Sequence, residues 1–145
     1  MSVKSWKKEF YGPIKPATSS WLKACEHSLR KWEGATKKNL KKHDLQKSDE
    51  GIEEKWEDDE DYWNTDSLDF NNDTCALCQR ADKLLAKTSD RYVHRCTVCP
   101  LVAIQGGVDC TDIESPFDIY YETGNPTKMI ASLRKLHKQL LKDEK

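Results

Sequence analysis

The chain has 145 residues, of which 37% are hydrophobic and 34% charged, so it favours one domain, or one with a substantial appendage, around a thin core. Its net charge of −1 conceals a segregation: twelve basic against four acidic residues over 1–48 (+8), one against twelve over 49–73 (−11), and eleven against nine over 74–145 (+2). No apolar run approaches the roughly 18 residues of a membrane span, and Met1 to Trp6 lack a signal-peptide core, so a cytoplasmic protein without membrane contact is expected.

The three charge blocks divide the chain into a basic, Trp-rich helical segment (1–48), an acidic linker or insertion (49–73) and a cysteine-bearing lobe with a C-terminal helix (74–145). Gly12, Pro13 and Pro16 mark the first eighteen residues as an irregular lead-in. Thr18, Ser19 and Ser20 then offer helix N-caps. Trp21, Leu22, Cys25, Leu29 and Trp32 recur at helical spacing, which predicts an amphipathic helix over 19–33 ended by Gly34 in a left-handed conformation. Cys25 falls on the apolar stripe and reads as core rather than as a ligand.

A lysine run follows, with Lys37, Lys38, Lys41 and Lys42 around Leu40 and before His43. It reads as a short helix with a solvated face; the sharper reading is a phosphate clamp. No aromatic residue within it is available to stack on bases. The acidic block reads as a spacer kept extended by charge repulsion. Trp56, Tyr62 and Trp63 among Asp58, Asp59, Glu60 and Asp61 suggest the alternative, a segment that docks on a basic, partly apolar groove of a protein partner.

The strongest local signal is the pairing of Cys75 with Cys78 and of Cys96 with Cys99, separated by the seventeen residues 79–95. Two residues between cysteines let one tight turn aim both sulfurs at one centre, and two such turns complete a tetrahedron around one zinc ion. Ala81, Leu84 and Leu85 indicate a short helix or turn between the pairs, and Arg91 to His94 a strand. Pro100 suits a helix's first turn, and Gly106 and Gly107 stop that helix. Ligand pairs near helix starts gain from the helix dipole, as in a treble clef or knuckle. Cys110 is the substitute ligand, and His94 reads as a strand or surface residue. An iron–sulfur cluster takes the same four thiolates, and spacing does not choose between the two. A redox pair usually sits in a βαβ context that is not visible here.

Ser115 to Tyr121 form an aromatic segment expected to pack over the cysteine lobe. Asn125 caps a last helix in which Met129, Ile130, Leu133, Leu136, Leu140 and Leu141 form one stripe. The fold expected is therefore a small α-rich α+β arrangement with helices flanking a cysteine-bound zinc lobe.

Taken together, Trp32-Glu33-Gly34, Cys75-Ala76-Leu77-Cys78, Cys96-Thr97-Val98-Cys99-Pro100-Leu101, Cys110 and Ser115-Pro116-Phe117 resemble small zinc-finger-like proteins encoded by phages and bacteria. The resemblance spans most of the chain in outline, though only the cysteine motifs are specific. It implies zinc binding and, for a phage-encoded chain, a host cytoplasm; it brings no activity with it, and the acidic block lies outside the shared pattern.

Four thiolates close a zinc shell, whereas a catalytic zinc keeps a position open for water. The chain has no His-Glu-x-x-His, no phosphate-binding loop and no Gly-x-Ser-x-Gly. The reading is thus a non-enzymatic, zinc-stabilised protein-interaction module. The alternative is nucleic-acid binding through Lys37, Lys38, Lys41, Lys42, Arg91 and Arg95. A metal-dependent nuclease is the lesser alternative, with only His94 between the cysteine pairs to serve it. Nothing in the sequence specifies an oligomeric state.

Overall fold

The computed structural model describes residues 3–49, 51–54, 66–71, 74–86, 98–107, 110 and 115–143. These form eight helices and a three-stranded antiparallel sheet, a helix-rich α+β arrangement. The helices are α1 (Val3–Phe10), α2 (Ile14–Ala17), α3 (Trp21–Glu33), α4 (Lys37–Lys42), α5 (Ala76–Leu85), α6 (Pro100–Ile104), α7 (Pro116–Thr123) and α8 (Thr127–Asp143). Between α4 and α5 come β1 (Leu45–Lys47), β2 (Gly51–Glu54) and β3 (Ser67–Asp69), in that spatial order. No helix among the described residues is long and apolar enough to cross a membrane.

The first eighteen residues are not an irregular lead-in. Val3, Trp6 and Phe10 recur at three- and four-residue intervals, and α1 buries all three. Glu54 on β2 accepts from the Val3 N–H at 3.0 Å, placing a carboxylate at the positive end of the helix. Gly12 and Pro13 break the helix, and Ile14–Ala17 makes one further turn.

α3 begins where its cap residue predicts. The Ser20 side chain accepts from Lys23 N at 3.1 Å, and Ala24, Cys25, Ser28, Lys31 and Trp32 turn inward. Its end differs from expectation. Gly34 keeps right-handed backbone angles (φ −65°, ψ −19°), and its lack of a side chain serves packing instead. A Cβ there would lie 2.6 Å from Phe10 Cγ and 2.8 Å from Trp6 Nε1. The Trp6 indole N–H donates to the Gly34 carbonyl at 2.9 Å, tying α1 to the end of α3.

β2 and β3 lie within the acidic stretch 49–73. Ile52 pairs with Lys47 on one side and Leu68 on the other, and Ile52 and Phe70 are fully buried. Phe70 stands at the centre of an aromatic cluster. Its ring lies 5.9 Å from Trp6, 5.0 Å edge-on to Trp32 and 5.7 Å from Tyr120, on which it stacks. Trp56, Asp58, Asp59, Glu60, Asp61, Tyr62 and Trp63 lie outside the described residues, as do Arg91, His94, Arg95 and Cys96.

The second half closes over α3. α8 packs on α3 through Met129, Ile130, Leu133 and Leu136, and Asn125 Oδ1 accepts from Thr127 N at 3.0 Å at its start. Leu140 is partly buried and Leu141 is 43% exposed, so the inward stripe fades at the C-terminal end. His137 contacts Glu26 at 3.4 Å, a surface interaction. Ser115 caps α7, whose Phe117 and Tyr120 pack edge-on to Trp32. The aromatic segment thus joins the main core on α3.

Candidate functional site

Cys75, Cys78 and Cys99 lie at helix starts, and Ser28 on the inner face of α3 reaches Cys75. Cys75 is the N-cap of α5, in extended backbone (φ −102°, ψ 116°), and Cys78 lies in the first turn of the same helix. Cys99 is likewise the N-cap of α6, with Pro100 in its first turn. Cys110 precedes α7, whose capping residue Ser115 also donates to the Cys110 carbonyl at 3.3 Å.

The Cys75–Cys78 pair is internally ordered. The thiol and backbone N–H of Cys78 both point at the Cys75 sulfur and hold the Cys75 thiol well below its ordinary pKa; Lys31 and Ser28 act in the same direction. Ser28 Oγ lies 3.8 Å from Cys75 Sγ. Cys78 is correspondingly pushed up, first by its hydrogen bond to Cys75, then by burial and by the charges of Cys75, Cys110 and Cys99. Among the described residues, no three Cys, His, Asp or Glu side chains lie close enough to ligate one ion. Thiolates at helix starts are the kind of donor that zinc takes, and a cation lies beside Cys75.

That cation is Lys31, which sequence reasoning missed. It is 1% exposed, although lysine is rarely buried without a partner. Its ammonium donates to the Thr74 carbonyl at 3.1 Å, one residue before Cys75, and lies 4.8 Å from the Phe70 ring centroid. Burial lowers its pKa, while Cys75, Cys78 and Cys110 oppose that shift. A signal for it was present. Ala24, Ser28 and Lys31 follow the inward helical period, but hydropathy places a lysine on the solvent side.

Cys25 occupies the expected core position. It is fully buried, its thiol donates to the Leu133 carbonyl at 3.4 Å, and burial pushes its pKa up to about 12.

The lysine run forms α4, with Lys37, Lys38, Lys41 and Lys42 exposed and Leu40 buried. His43 is buried and joins this helix to α1. Ser5 Oγ lies 2.9 Å from His43 Nδ1, and Glu9 contacts both His43 Nε2 (2.7 Å) and Lys42 Nζ (2.8 Å). The Ser-His-Glu sequence of contacts superficially suggests hydrolase chemistry. Both outer members, however, project from one turn of α1, and the contacts staple α1 to α4. α1 adds exposed Lys4 and Lys8 to the basic end of the molecule.

Comparison with known proteins finds no matching family model, curated protein or solved structure.

Proposed function

We propose that the chain is a non-enzymatic protein-interaction module whose second half is stabilised by one zinc ion held by cysteines in a treble-clef-like or knuckle-like lobe. The observation that supports the metal reading is that Cys75 and Cys99 each open a helix, with Cys78 one turn on and the buried Lys31 ammonium on the neighbouring Thr74 carbonyl. Cys75, Cys78, Cys96 and Cys99 remain the proposed ligands, with Cys110 as substitute. Zinc would supply cross-linking between α5 and the segment leading to α6, so its binding free energy would also be folding free energy. The partner surface in this reading is the acidic aromatic segment bearing Trp56, Asp58, Asp59, Glu60, Asp61, Tyr62 and Trp63. The cytoplasmic setting and a phage or bacterial origin belong to the same proposal.

The test is native mass spectrometry of tag-free protein with elemental analysis of the same sample. One zinc per chain, with a co-purifying protein lost from a Trp56→Ser, Tyr62→Ser, Trp63→Ser variant that keeps its zinc, is the expected result. Absence of zinc, or iron with sulfide in its place, overturns the metal assignment.

Nucleic-acid binding is the second reading, favoured by the stapling of lysine-bearing α1 to lysine-bearing α4 through Glu9, Lys42 and His43. Glu54 N donates to the Asp66 carbonyl at 3.0 Å, so residues 55–65 can be replaced by a short Gly-Ser turn without parting β2 from β3. Gain of DNA or RNA affinity with steep salt dependence in that variant would favour this second reading; loss of protein capture favours the first.

A further inference from the structure

We propose that the outward face of α8 is a docking surface for the phosphate backbone of duplex nucleic acid. Residues 127–143 hold five Lys or Arg against one Asp. Lys128, Arg134, Lys135, Lys138 and Lys142 are all exposed, on the side of the helix away from the buried Met129, Ile130, Leu133 and Leu136. Packing of the buried side on α3 holds the cations in one stripe. At 1.5 Å per residue, Lys128 to Lys142 spans about 21 Å, the length of about six base pairs. An open depression of about 420 Å³ on this helix is lined by Arg134, Lys135 and Lys138 with His137 and Leu141. The carboxylates that reach α8 leave most of its charge uncompensated. Glu33 on α3 meets Arg134 at 3.3 Å, Glu26 meets His137 at 3.4 Å, and Asp143 accepts from Gln139 at 3.2 Å. Among the described residues, Lys128, Lys135, Lys138 and Lys142 form no ion pair.

Helix stability does not account for this face. Opposite charges four residues apart stabilise a helix, whereas Arg134, Lys138 and Lys142 follow one another at that spacing, and like charges so placed destabilise it. The helix dipole favours a cation in the last turn, which explains Lys142 but not Lys128, Arg134 or Lys135. The face also offers little to a protein partner. α8 contains no Phe, Trp or Tyr, and Leu141, 43% exposed, is its one large exposed apolar side chain. Protein interfaces are anchored by buried aromatic and apolar groups and are poor in lysine. The lack of aromatic rings equally removes the stacking platform that single strands use. A stripe of cations needs only a regular array of phosphates, and it reads the backbone rather than the bases. The inference goes beyond the protein-interaction reading and uses neither the cysteines nor the acidic segment. It shares a ligand class with the second reading but stands on a different helix, and the experiment separates the two.

The experiment titrates tag-free, full-length protein into short, labelled, mixed-sequence DNA and RNA duplexes and follows fluorescence anisotropy between about 50 and 200 mM salt. Wild type is expected to bind at least one duplex, with log affinity falling linearly against log salt. The triple variant Lys135→Gln, Lys138→Gln, Lys142→Gln should lower that slope by about 2–3, and Lys138→Gln alone by about 1. Glutamine is a good helix former, so these exposed positions keep their helix. Arginine at the same three positions keeps the charge and should bind as wild type does. The control Lys15→Gln, Lys23→Gln, Lys83→Gln alters exposed lysines of α2, α3 and α5, changes the net charge equally and should leave the slope unchanged. Equal losses in the two glutamine triples report net charge alone and overturn the proposal. An unchanged slope in the α8 triple also overturns it. If Lys37→Gln, Lys38→Gln, Lys41→Gln then loses binding, the second reading stands while this one fails. Displacement by polyglutamate as readily as by unlabelled duplex assigns the face to an acidic protein, and tighter binding of single strands removes the duplex; either result overturns the proposal. Wild type that binds neither duplex overturns it outright.

Discussion

At the scale of single residues, the placement of Gly34 and Glu9 follows from what approaches them. Gly34 is small because Phe10 and Trp6 occupy the space a side chain would need. Gly34→Ala should therefore cost about 1–3 kcal/mol through overpacking, measurable by chemical denaturation. Hydrogen bonds from Lys42 and His43 hold the Glu9 carboxyl below the ordinary carboxylate range. A folded value lower than the unfolded one means that the unfolded chain binds more protons in acid. The contribution of Glu9 is thus complete above about pH 4.3 and fades as pH falls through the lowered folded value. Glu9→Gln should flatten that part of the stability–pH curve, with wild type and variant converging at the acid end. An unchanged slope in the variant would remove Glu9 from the account.

At the scale of elements, period and capping located α3, α6 and α8 in the sequence, because both are local properties, and the structure shows the same capping at two further helices. Ser20, Thr36, Ser115 and Asn125 each accept from a backbone N–H two or three residues ahead, and α3, α4, α7 and α8 start beside them. α1 was legible in principle, since Val3, Trp6 and Phe10 keep a helical period; the lysines around them and the prolines after them masked it. The strands were harder. β1 and β3 have three residues each, too few for an alternating pattern to rise above the charges around it. What holds β3 in place is Phe70 just beyond its end, inserted among Trp6, Trp32 and Tyr120. Phe70→Ala should cost about 3–5 kcal/mol, as for other fully buried aromatics. A loss below about 1 kcal/mol would show that this end of the acidic stretch is not integral to the core.

For the whole molecule, α3 is the organising element: α1, α2, α5 and α8 all pack on it, and it faces both the aromatic core and the cysteine region. The proposed zinc would brace the helices that Cys75 and Cys99 each open. Cys75→Ser and Cys99→Ser should each release metal and lower the melting temperature of the metal-loaded protein. Cys25→Ala should leave one zinc bound and cost about 0.5–3 kcal/mol by packing alone. Full metal content in both serine variants, or loss of zinc from Cys25→Ala, would reassign the ligands. Elemental analysis beside a thermal melt distinguishes these outcomes.

The sequence by itself determined the α-rich class, the starts of α3, α6 and α8, the core role of Cys25 and the spacing of the two cysteine pairs, because caps, periods and short spacings act within a few residues. Tertiary structure alone decided that Gly34 is a contact rather than a left-handed stop, that Phe70 is a core residue, and that Lys31 faces inward onto the Thr74 carbonyl beside Cys75. Each of these depends on a neighbour from a distant part of the chain: Phe10 on α1, Tyr120 on α7, and the start of α5. A lysine is ordinarily a solvent residue, and only the folded arrangement of sulfurs and rings around α3 gives it a reason to be buried.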